Sequence, residues 1–104
     1  MIFRRRRFAD LIERQLDLFE REQRGLIADC VDAERAYDRA DRTSAEERYG
    51  DYSDLVETGT EILADIRDHF AKTLDGDAAE DYEAAFNRAV ARRLPRFALE
   101  IENR

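Results

Sequence analysis

The chain has 104 residues, enough for one domain with a thin core, because a chain this short buries only about two-thirds of the surface it exposes when unfolded. Charged residues make up 41% of it and hydrophobic residues 43%, which excludes the apolar-poor profile of a disordered chain and suits long helices with one dry face and a wide wet one. A net charge of −7 speaks against nucleic acid as a whole-surface partner, and a lone cysteine, Cys30, excludes an intrachain disulfide and fits a reducing cytoplasm.

Arg4, Arg5, Arg6 and Arg7 follow the first three residues with no apolar run behind them, so no secretory leader is expected. No stretch approaches the roughly 20 apolar residues of a membrane span. The first helix is predicted over about 4–41. Ile12, Leu16, Phe19, Gln23, Leu26, Cys30, Ala33, Tyr37 and Ala40 recur at alternating spacings of four and three, a heptad seam with one polar member, Gln23. A polar seam residue of this kind is either a register device or simply exposed. The opposite face carries the acid-then-base pairs Asp10–Arg14, Asp17–Arg21, Glu20–Arg24 and Asp38–Arg42, each four residues apart in the favourable order.

Asp41 to Ser44 reads as a turn. Thr43 with Glu46, or Ser44 with Glu47, has the spacing of a capping box that opens a second helix over about 44–74. The seam continues through Ala45, Tyr49, Tyr52, Val56, Gly59, Leu63, Ile66 and Phe70. Gly50 leaves a break near 50–53 as an alternative, since glycine costs roughly 1 kcal/mol against alanine within a helix. Gly76 suits a helix C-cap, and Asp77 with Glu80 repeats the capping-box spacing before a third helix over about 78–94. Its apolar face is Ala79, Tyr82, Phe86, Val90 and Leu94. Pro95 then forces a kink or a fresh start, with helical structure expected in 95–104 because Phe97 and Ile101 continue the pattern.

The fold expected is therefore all-α: a long antiparallel helical hairpin with coiled-coil spacing plus a shorter third helix, a three-helix bundle in one domain. The third helix reaches only about halfway along the hairpin. The strip Cys30, Ala33, Tyr37, Tyr49, Tyr52 and Val56 is then covered either by the segment after Pro95 or by another chain, and a homodimer meeting at this strip is the expected partner arrangement.

Each candidate site has a plainer structural counterpart. The cluster Arg4 to Arg7 could touch phosphates of nucleic acid or an anionic membrane, or neutralise the acidic start of the third helix. Arg88, Arg92, Arg93 and Arg96 could form a second phosphate or acidic-partner patch, or complement the dipole at a helix end. Asp54, Glu57, Glu61, Asp65 and Asp68 form an acidic stripe that suits solvent better than a cation, since a straight external stripe cannot wrap an ion. His69 with Asp65 is a thin basis for a metal-binding bundle, and a half-buried packing role is expected for it. Cys30 is expected in the core, distant from any base. No catalytic, cofactor or metal motif is present, so the expected function is a non-enzymatic, cytoplasmic protein-interaction or assembly module. A phosphate-directed binder and a metal-binding bundle are the alternatives.

Overall fold

A computed structural model describes residues 7–104. Among them the chain forms five α-helices and no strand: α1 Ala9–Glu22, α2 Arg24–Asp38, α3 Ala45–Ala71, α4 Gly76–Arg93 and α5 Ala98–Glu102, with a 3-10 turn at Pro95–Phe97 leading into α5. The molecule measures 51 × 24 × 23 Å. No helix among the described residues is long and apolar enough to cross a membrane.

The first predicted helix is two helices. Gln23 leaves the helical region, with φ −109° and ψ 28°, while its N–H still donates to the Phe19 carbonyl at 2.8 Å. The reason lies in the packing. α2 lies along α3, whereas α1 packs chiefly on α4. One straight rod could not follow both neighbours, and the bend at Gln23 lets α1 leave α3 for α4. Gln23, half-buried, marks the break between α1 and α2.

α3 runs unbroken through Gly50, because the seam on either side of that residue holds the helix against α2. The expected capping boxes do not form: Ser44, which flanks the start of α3, makes no side-chain cap, and Asp77 lies inside α4, whose N-cap is Asp75. Instead Asp41 holds the turn, its Oδ1 accepting from Ser44 N at 2.9 Å and from Ser44 Oγ at 3.0 Å. These bonds hold the Asp41 carboxyl below its ordinary range. Gly76 opens α4 rather than capping α3.

The core is built at the α1–α4 end. Phe8, Phe70, Tyr82 and Phe86 form a cluster, with Tyr82 at centroid distances of 5.4 Å from Phe8 and 4.8 Å from Phe70, within the range where offset and edge contacts add to burial. Phe19 meets Phe97 edge-on at 6.0 Å. Pro95 starts the 3-10 turn, where its missing N–H costs nothing. The turn sends Phe97 and Ile101 back into the core, where both are buried.

Candidate functional site

Two contrasting regions result. In the first, polar groups are enclosed. Arg67 on α3 is 2% exposed. Its Nη1 donates to the Ile101 carbonyl and to Asn87 Oδ1, both at 3.0 Å, and its Nε donates to Asp68 Oδ1 at 2.8 Å. One guanidinium thus ties α3 to α4 and α5. A fork of donors reaching groups on three helices requires arginine, and lysine would supply only a point charge. Sequence reading missed this residue because it looks like any member of a charged helix. The available signal was its place one position from Ile66, at the edge of the seam.

Tyr82 is likewise buried, its hydroxyl donating to Gln15 Oε1 at 2.8 Å. Burial pushes its hydroxyl up to about 12, outweighing the opposing pull of the Arg67 charge. An acid held protonated in the fold stabilises fully below the unfolded value near 10 and loses that contribution as pH climbs toward 12. Stability measured by urea titration should therefore fall between pH 10 and 12, and Tyr82→Phe should flatten that part of the profile. An unchanged slope in Tyr82→Phe contradicts the assignment.

The arginines after α4 are already engaged. Arg93 pairs with Asp17 at 2.9 Å, with Glu13 at 3.3 Å and with Glu20. Arg96 pairs with Glu34 at 3.2 Å and sits over the Tyr52 ring at 5.6 Å. Of the second basic group, only Arg88 and Arg92 are exposed without such partners among the described residues. Arg4, Arg5 and Arg6 lie outside the described residues. Arg7 is exposed and rests over the Phe8 ring at 5.2 Å. Phe8 in turn contacts Tyr82, which places this end beside the acidic start of α4.

The acidic stripe divides. Glu57 and Glu61 face Arg104 at 3.8 and 3.5 Å, Asp68 binds Arg67, and Asp54 and Asp65 are exposed. His69 is exposed, not half-buried as expected. No group of three or more potential metal ligands comes together among the described residues. Cys30 is fully buried, and burial raises its thiol despite the nearby Arg96 charge, which makes it a poor nucleophile.

The second region is the outer part of α2 and α3. The strip predicted here is split by the structure. Cys30 and Val56 are buried, closed over by the segment after Pro95, whose Arg96 reaches both Glu34 and Tyr52. No residue from 31 to 55 is buried. Ala33 and Tyr52 are half-buried, while Tyr37 and Tyr49 are 40% and 55% exposed and touch each other edge-on at 5.4 Å. Helix α2, the turn 39–44 and the first half of α3 thus form a two-helix prong that projects past the core. An open cleft of about 470 Å³ lies at its base between Ile27, Tyr52 and Phe97. The guanidiniums of Arg93 and Arg96 at its edge are both already paired with carboxylates.

No family model matches the chain, and neither a curated protein nor a solved structure similar to it was found.

Proposed function

We propose that the protein is a non-enzymatic, cytoplasmic assembly module that dimerises through the prong. In this reading the chain is a three-helix bundle at one end and half of a four-helix bundle at the other, and the second copy supplies the missing layer. The observation that carries the proposal is the stretch 31–55, which is helical throughout apart from its turn yet contains no buried residue. Two helices alone bury little, and isolated helices of about 15 residues are marginal in water. A pair of exposed tyrosines at such a place combines apolar area with a polar tip, the usual composition of an association surface.

α2 is 15 residues long, so the contact would span about 22 Å. That is a small interface, and a micromolar dissociation constant is expected. Sedimentation velocity should show a dimer at tens of micromolar. Replacing Tyr37 and Tyr49 together by glutamate should give a monomer with unchanged helical circular dichroism. A wild-type monomer across that range, or a double variant that still dimerises, overturns the proposal.

A further inference from the structure

The charges on the prong specify how a second copy would sit on it. Asp29, Asp32, Ala33, Ala36 and Arg39 recur at three- and four-residue spacings, which places them on one face running up α2 to its C-cap, Arg39. Ala33 and Ala36 are half-buried and belong to no core cluster. Tyr37 and Tyr49 border this face. Alanines in the middle allow close approach of another helix. The charges lie at the two ends and differ in sign. Asp29 and Asp32 are exposed near the base, and Arg39 and Arg42 are exposed near the tip. None of the four makes an ion pair among the described residues.

We propose that two copies join with their α2 helices antiparallel across this alanine face, with Arg39 of one copy beside the partner's Asp32 and Arg42 beside the partner's Asp29. The inference rests on the assembly reading above and adds the identity of the partner surface and its direction. Arg39 and Asp32 set the register on α2, and Arg42, in the turn beyond the Arg39 C-cap, lies past the end of the helix on the side of the partner's Asp29. The two-fold axis then passes between Arg35 and Ala36, and each pair occurs twice, as an isologous interface requires. A parallel arrangement in register would set Asp29 on Asp29, Asp32 on Asp32 and Arg39 on Arg39, like charge on like. Exposed pairs are individually weak, so the apolar face and the tyrosines supply affinity while the charges select direction and partner.

The test uses single cysteines in a Cys30→Ala background. Arg39→Cys and Asp32→Cys proteins are mixed, oxidised and resolved by non-reducing mass spectrometry. The mixed 39–32 disulfide should dominate. Dominance of 39–39 and 32–32 products, with dimers present by sedimentation, overturns the antiparallel arrangement while leaving the assembly reading intact. Absence of any dimer overturns both. A second experiment avoids cysteine. Arg39→Glu with Arg42→Glu should weaken self-association by at least about tenfold, from the four reversed contacts, and Asp29→Arg with Asp32→Arg should do the same. Mixing the two variants should restore a heterodimer of wild-type affinity. Failure of the mixture to associate more tightly than either variant alone contradicts the register.

Discussion

Arg67→Ala should cost about 3 kcal/mol of stability. The side chain is enclosed, and its truncation leaves Asn87 Oδ1 without its donor, leaves the Ile101 carbonyl only the longer bond from the Arg104 N–H, and opens a cavity between α3, α4 and α5. For a domain of this size that corresponds to a fall in Tm of more than about 10 °C. Arg67→Met, which keeps most of the volume, should lose less, because the cavity is filled and only the hydrogen bonds go. Asp68→Asn should lose less still, since Asp68 is half exposed and its pairing is screened by water. Thermal melts at one low protein concentration, where self-association contributes little, give the ranking. If Arg67→Ala melts within a few degrees of wild type, Arg67 is not the tie between these helices.

Gly59→Ala should destabilise, although alanine is the better helix former by roughly 1 kcal/mol. A Cβ at this position would lie 2.8 Å from Phe97 Cζ and closer still to Cε1. Phe97 cannot give way easily, being 1% exposed and wedged against Phe19. Overpacking of this kind costs about 1–3 kcal/mol, so the net change after the helix gain is a loss of up to about 2 kcal/mol. Gly50→Ala is the control. Nothing lies within 4 Å of its Cβ position and the helix continues on both sides, so the propensity gain should appear unopposed, at about 0.5–1 kcal/mol. Equal effects of the two substitutions in urea titrations would show that Phe97 does not occupy the space over Gly59.

The four-and-three spacing made the helices legible, because burial of one stripe is a local property of sequence. It also put Gly59 on the seam, and pointed to Phe97 and Ile101 as a resumed pattern after Pro95. The partner at Gly59 was not legible, because a phenylalanine 38 positions later meets it only through the tertiary fold. The bend at Gln23 had the same origin: α2 and α1 follow different neighbours, and a seam that is continuous in sequence carries no record of that divergence. Arg67 was hidden for a chemical reason. An arginine beside a seam reads as surface, and its burial is tolerable because Asp68, Asn87 and the Ile101 carbonyl brought back by the Pro95 turn meet its donors. His69 failed in the opposite direction, since one residue of rotation on a helix separates a half-buried position from a wet one. In the candidate strip, the arithmetic of helix lengths showed that an end would be left over but not where cover would stop. The structure draws that boundary between Cys30 and Val56 on one side and Tyr37 and Tyr49 on the other.

Amide hydrogen exchange measured as a function of protein concentration probes the prong most directly. Amides of α2 beyond Cys30 and of α3 before Val56 should exchange fast in dilute solution and slow as concentration rises through the micromolar range, while those around Leu63, Phe86 and Val90 stay protected throughout. Strong protection of the prong at the lowest concentration, or protection that never responds to concentration, would contradict the account.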